Sequence, residues 1–166
     1  ETGISMQRDQ FWQFIETAKA GNDAEARVDE LRAVLGGLSA VELQSFQDHY
    51  DRLIAAAYRW DLWAAAYIIN GGCSDDGFRY FRDWLISEGR IVFEAALKNP
   101  DSLADLPHID PAELESFGYV ALDLHEEKRA GAMSREFSGE AGDPAGEPWS
   151  EGAVGELLPR LDAKYA

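Results

Sequence analysis

The chain predicts an all-α fold: one compact helical domain of about five to seven helices with a Gly/Pro-rich C-terminal arm. Three observations carry that prediction. Apolar residues recur at helical spacing in each long segment, caps and breakers punctuate those segments, and no strand alternation or internal repeat is sustained.

Phe11, Phe14 and Ile15 share one face of a first helix opening near Asp9, which Gly21-Asn22-Asp23 stops. Asn22 or Asp23 caps a second helix, about 23–35, which aligns Val28, Leu31, Val34 and Leu35 and ends at Gly36-Gly37. Ser39-Ala40-Val41-Glu42 is a capping box, in which the serine oxygen accepts an orphan helix amide and the glutamate reaches back. Helical spacing then runs from Leu43 through Phe46, Tyr50, Leu53, Ile54 and Ala57 to Ile68. No glycine or proline interrupts Ser39–Asn70, so one long helix or a kinked pair is expected.

Asn70-Gly71-Gly72 ends that run, with glycine suited to a left-handed cap. Ser74, Asp75 or Asp76 caps the next helix, about 75–98, striped by Phe78, Phe81, Leu85, Ile86, Phe93 and Leu97, with Gly89 marking a bend or a close contact. Asn99-Pro100-Asp101 closes it, and Asp110-Pro111 opens a helix of about 111–129. Seven Gly or Pro residues between 131 and 152 predict an extended arm pinned to the body by Trp149. A short helix or turn at about 151–164 then returns Leu157, Leu158, Leu161 and Tyr165. Glu1-Thr2-Gly3 reads as a vector remnant, residues 1–5 as a disordered lead and Met6 as the native start.

Composition narrows the function classes. The 166 residues, 46% apolar and 11% aromatic, suit one globular domain at 6–166. No apolar run approaches the ~20 residues that cross a bilayer. One cysteine excludes an internal disulfide and a multi-cysteine zinc site, and points to a reducing, cytoplasmic setting. Against 15 Lys+Arg stand 31 Asp+Glu, a net charge of −16, with −6 falling in residues 1–100 and −10 in 101–166. Such a field disfavours nucleic acid and anionic membrane and favours a basic protein partner, although acidity also serves plain solubility.

The segment Tyr58–Glu88 carries the strongest functional signal. It combines Trp60, Trp63, Trp84, Tyr58, Tyr67 and Tyr80 with Arg59, Arg79 and Arg82, around the turn Asn70-Gly71-Gly72-Cys73-Ser74-Asp75-Asp76-Gly77. Arg79 and Arg82, three apart beside a helix N-terminus, suit a carboxylate or phosphate. Equally, Asp61, Asp75, Asp76 and Asp83 are placed to neutralise the arginines in a structural network. Trp60, Trp63 and Tyr67 form a helical stripe in which Trp63 and Tyr67 read as core, with Trp60 or Trp84 at a cleft edge or an interface hot spot. The candidate partner- or ligand-binding residues are therefore Arg59, Trp60, Asp61, Asn70, Asp75, Asp76, Arg79, Arg82 and Trp84.

Catalytic and metal motifs are weak. Cys73 precedes a helix N-terminus but has no histidine near it in sequence, so it reads as a packed turn residue. Asp75-Asp76-Gly77 turns apolar and basic too soon for a calcium loop. His49, His108 and His125 form no ligand set, and no GxGxxG, Walker loop or GxSxG is present. No cofactor, metal or catalytic residue is assigned.

Four stretches resemble the bacterial DUF4240 domain family. They are Phe11-Trp12, the run Ala56-Ala57-Tyr58-Arg59-Trp60-Asp61-Leu62-Trp63-Ala64-Ala65-Ala66-Tyr67, the run Asn70–Phe78 with Tyr80-Phe81-Arg82-Asp83-Trp84-Leu85, and Pro159-Arg160-Leu161 with Lys164-Tyr165. The resemblance implies a small, mostly helical cytoplasmic domain and transfers no activity. The expected function is a non-catalytic module for a basic protein partner, toxin-neutralising or regulatory. The alternative is an anion- or small-molecule-binding domain, or an enzyme, with its cleft at the central hairpin.

Overall fold

The structure, a computed structural model, describes residues 6–135 and 142–166. The expected lead at 1–5 and part of the expected 131–152 arm lie outside the described residues. The fold is all-α, as expected. In chain order it comprises α1 (Arg8–Lys19), α2 (Ala24–Leu35), α3 (Ala40–Ala56), α4 (Trp60–Asn70), α5 (Asp75–Ser87) and α6 (Arg90–Lys98). Two 3-10 helices (Pro100–Asp105 and Glu115–Tyr119) lead to α7 (Val120–Glu127), and a third (Glu151–Ala153) to α8 (Val154–Leu157) and α9 (Pro159–Tyr165). The described residues contain no strand, only an isolated bridge between Arg59 and Ala145.

The expectation of five to seven helices is too low, because the 39–70 run takes the divided one of its two expected forms, the 75–98 helix is divided and the C-terminal one is split. The 39–70 run breaks at Ala57-Tyr58-Arg59 without glycine or proline. There the Trp60 amide donates to the Ala145 carbonyl (2.8 Å) and the Ala145 amide to the Tyr58 carbonyl (3.0 Å), so a distant segment replaces helical hydrogen bonds. The 75–98 run breaks at Gly89, whose φ of 96° is a conformation that side chains resist. The 111–129 helix is also shorter than expected. Asp110-Pro111 is cis, and regular α-helix starts only at Val120.

Local chemistry holds the ends. Asp23 caps α2, the Ser39/Glu42 box caps α3, and Ser74 caps α5 by accepting the Gly77 amide. Gly71 ends α4 at φ 69°, and Gly72 donates back to the Tyr67 carbonyl (2.8 Å). Long-range caps complete the set. Glu16 of α1 accepts the Arg90 amide at the start of α6 (2.9 Å), and Asp101 accepts the Arg160 and Leu161 amides at the start of α9 (3.0 and 2.8 Å).

The centre of the domain is α5, in which every residue from Phe81 onward is buried. The helix packs against α1, α3, α4 and the 115–119 turn, while α7 covers α2 and α3, and α8 and α9 cover α4. Phe11, Phe46, Tyr50, Phe78, Phe81, Phe93 and Phe117 fill the core between these helices. Of the C-terminal residues, Trp149 donates its indole N–H to the Trp60 carbonyl (2.5 Å) and meets Trp60 and Tyr67 edge-on.

A Cβ at Gly89 would stand 2.5 Å from Glu16 Oε2, the atom that caps α6. Gly89→Ala is therefore expected to destabilise the domain by about 1–3 kcal/mol, through backbone strain and loss of that cap. Urea unfolding measures it, and an unchanged midpoint would contradict the assignment.

Candidate functional site

The nine residues singled out from sequence divide among separate environments. Arg59 and Asp61 pair with each other through two hydrogen bonds (3.0 and 2.9 Å) at the start of α4. Trp60 is half-buried and stacks on Trp63 at 5.5 Å, and Trp63 stacks on Phe78 at 4.8 Å. Asn70 accepts the Ala112 amide (2.8 Å) and donates to the Ala112 carbonyl (3.3 Å), tying the end of α4 to the 106–114 segment. Asp75 and Asp76 are exposed in the first turn of α5.

Arg79 and Arg82 do not act as a matched pair. Arg82 is fully buried and donates to the Ile54 carbonyl of α3 (2.9 Å), its guanidinium lying 4.9 and 4.6 Å from the Tyr58 and Phe78 ring centres. Arg79 faces Asp83 instead, 3.7 Å away. Trp84 is 5% exposed and packs on Phe81, so it belongs to the core rather than to a cleft edge. Burial pushes the Cys73 thiol up to about 12, with Glu113 and Asp75 adding to the shift. That suppresses the thiolate a nucleophile needs.

A buried polar cluster lies behind the outer face of α5. Tyr50 of α3 donates to Asp83 Oδ1 (2.5 Å), and the α-carbon of Gly118 approaches so closely that a Cβ would sit 2.6 Å from that oxygen. Burial pushes the Asp83 carboxyl up to about 7, against the opposing pull of Arg79, the Tyr50 hydroxyl and Arg82. One residue along α3, buried Asp51 accepts two hydrogen bonds from Arg135 (2.7 and 3.0 Å) and one from Gln47 (2.9 Å). Tyr50, Asp51 and Arg135 were not among the sequence candidates. The signal for Asp51 was present: Gln47, Asp51 and Ile54 fall on one helical stripe, which places an acid on the inner face.

Beside this cluster a groove of about 540 Å³ opens to solvent between α5 and the 111–119 segment. The Leu114 amide donates to the Tyr80 carbonyl (3.0 Å) and fixes the segment along the helix. Tyr80 and Tyr119 edge the groove, and exposed Glu113 and Glu115 supply its charge. Tyr119 donates to Glu115 (3.2 Å), which raises the Tyr119 hydroxyl above its ordinary value. Burial, then Glu115 and Asp76, raises that of Tyr80. With Asp75 and Asp76 exposed at the start of the same helix, the face is acidic and aromatic. Its carboxylates form no ion pair among the described residues, and its chemistry suits a cationic side chain.

Two measurements check this site. A carboxyl at about 7 when folded and near 3.8 when unfolded favours the fold below pH 3.8 and loses that contribution as pH rises through 7. Asp83→Asn is therefore expected to remove a downward slope in stability between these values, read from urea midpoints across pH. Parallel curves would show that Asp83 does not titrate there. Native Cys73 is expected to alkylate with iodoacetamide at neutral pH about a hundredfold or more slower than the unfolded chain. Equal rates would refute the suppressed thiolate.

A family model described as protein of unknown function (DUF4240) matches residues 6–127. That span includes α1 through α7 and the central hairpin, whereas the Pro159–Tyr165 stretch lies beyond it. Neither the curated proteins nor the solved structures yield a match. With well over half of its length matched, the chain belongs to the DUF4240 family.

Proposed function

We propose that the chain is a non-catalytic binding module for a basic protein partner, of the toxin-neutralising or regulatory kind, acting in bacterial cytoplasm. The observation that carries this reading is the distribution of charge. Arg27, Arg32, Arg59, Arg79, Arg90, Arg135 and Arg160 each face a carboxylate of the chain itself. Pairing these seven arginines internally leaves the acidic excess outward, and the tyrosine-edged groove of α5 and 111–119 gathers part of it beside apolar surface. Long-range attraction steers a basic partner to such a face, and aromatic edges give the short-range contact. A single cysteine fits a reducing compartment.

The alternative, an anion or small-molecule cleft at the central hairpin, has less support. Arg59 and Arg79 already face acids, and Arg82 and Trp84 belong to the core.

Affinity capture from the native host at low salt, followed by a salt gradient and identification of the eluted protein, tests the proposal. The expected result is a basic protein released as salt rises and retained at least roughly tenfold less by Glu113→Lys/Glu115→Lys. Capture that is indifferent to both salt and the double substitution would sink it.

A further inference from the structure

The groove between α5 and the 111–119 segment is fixed along its length. At one end Asn70 brackets both backbone groups of Ala112 (2.8 and 3.3 Å), and in the middle the Leu114 amide donates to the Tyr80 carbonyl (3.0 Å). At the other end Phe117 is buried in the core and Gly118 rests against Asp83. Side chains of this segment therefore meet solvent from a fixed backbone, and a partner group finds a preformed surface with little left to order.

That frame places both carboxylates. Glu115 accepts from the Tyr119 hydroxyl (3.2 Å) and lies close enough to Tyr80 to raise that hydroxyl as well. Glu113 extends along the first turn of α5, where its Oε2 would stand 3.6 Å from a Cβ at Gly77. Both residues are exposed, and no ion pair among the described residues engages either. A carboxylate has about four acceptor positions, so Glu115 keeps capacity beyond its tyrosines. Arg79, next to Tyr80 in the chain, is turned to Asp83 (3.7 Å) with its Nε buried, which leaves the acids of the groove to an outside cation.

The rings decide which cation fits. An ammonium group is a compact point charge that holds its water tightly. A guanidinium is planar and weakly hydrated, so it lies on an aromatic face while its N–H fork reaches a carboxylate beside that face. Tyr119, 48% exposed, offers its ring next to the carboxylate that its own hydroxyl holds. The chain already uses this stacking internally, where Arg82 lies on the rings of Tyr58 and Phe78.

Building on the basic-partner reading, we propose that this groove takes an arginine side chain of the partner, its guanidinium between Tyr80 and Tyr119 and bonded to Glu115, with Glu113 adding to the field. Acetyl-arginine amide, acetyl-lysine amide and acetyl-citrulline amide differ chiefly in the head group. Titrating each into the isotope-labelled full chain at low salt, read by amide NMR shifts, provides the test. The arginine compound is expected to bind at least about threefold tighter than the lysine compound, and the citrulline compound not to saturate. Shifts should centre on Tyr80, Leu114, Glu115 and Tyr119. Glu115→Gln is expected to weaken arginine binding about tenfold, and Tyr119→Leu to bring it down to the lysine level. Both side chains are exposed, so these variants should keep the wild-type melting temperature, and loss of binding then reads the groove rather than the fold. Lysine binding as tightly as arginine, shifts spread evenly over the acidic surface, no saturation by about 20 mM arginine compound, or variants that bind as wild type would each overturn the proposal. A salt-sensitive basic partner captured alongside equal lysine and arginine binding would keep the partner reading and sink only the arginine preference. Arginine-selective binding without any captured partner would do the opposite.

Discussion

The arrangement of the domain turns on one buried cation, Arg82. In a helix running unbroken from Ser39 to Asn70, the Tyr58 amide would donate to the Ile54 carbonyl. Here the Tyr58 amide turns to Ala55 instead (3.1 Å), and Arg82 supplies the donor that Ile54 loses. Leaving that buried carbonyl without a partner would cost about 1–3 kcal/mol. The same guanidinium lies against the rings of Tyr58, within the junction, and of Phe78 on α5. A single side chain thus satisfies the end of α3, supports the α3–α4 break and fixes both to α5.

The break in turn decides where the tryptophans go. Once α4 starts at Trp60, its first two turns stack Trp60 on Trp63 and Trp63 on Phe78, continuing a column that ends at Arg82. Trp63 also donates to the Cys73 carbonyl (3.0 Å), which ties the column to the turn before α5. The first-turn amide of Trp60 has no helical partner, and Ala145 accepts it while Trp149 takes the Trp60 carbonyl. These contacts come from residues beyond the family match at 6–127, so helix α4 inside the match leans on chain outside it. The tryptophan surplus that pointed to recognition is largely a device for joining α4, α5 and the C-terminal segment.

Much of the helical plan was legible because its signals are local. The capping box at Ser39, the Ser74 cap and the Gly71 stop depend on neighbours within four residues, and each stands where sequence places it. The break at Ala57–Arg59 carries no such mark, since its cause is Ala145 and Arg82. Gly89 was legible only as a choice between bend and close contact, and it is both, with the contact supplied by Glu16. The polar cluster was hidden for the same reason. Arg79, Asp83 and their spacing are visible along one helix, whereas Tyr50, Asp51 and Arg135 meet them only through tertiary packing. Arg79 and Arg82 show the limit of spacing arguments: three apart, they share a helix side, yet one serves the core and the other the cluster.

Charge follows the same division between inner and outer roles. Arginine is the scarce ion here, and the fold places it mainly against its own acids or inside the core, where a bidentate fork or a stacked plane has most effect. The abundant carboxylates are left to set the outer field. The groove along α5 takes its acidic character from such placement rather than from any specialised motif. Glu113 and Glu115 stand there beside Tyr80 and Tyr119, and the Leu114 amide bonded to the Tyr80 carbonyl brings these distant parts of the chain together. Composition alone shows the excess of acid, and only the packing of the 111–119 segment on α5 shows where part of it gathers.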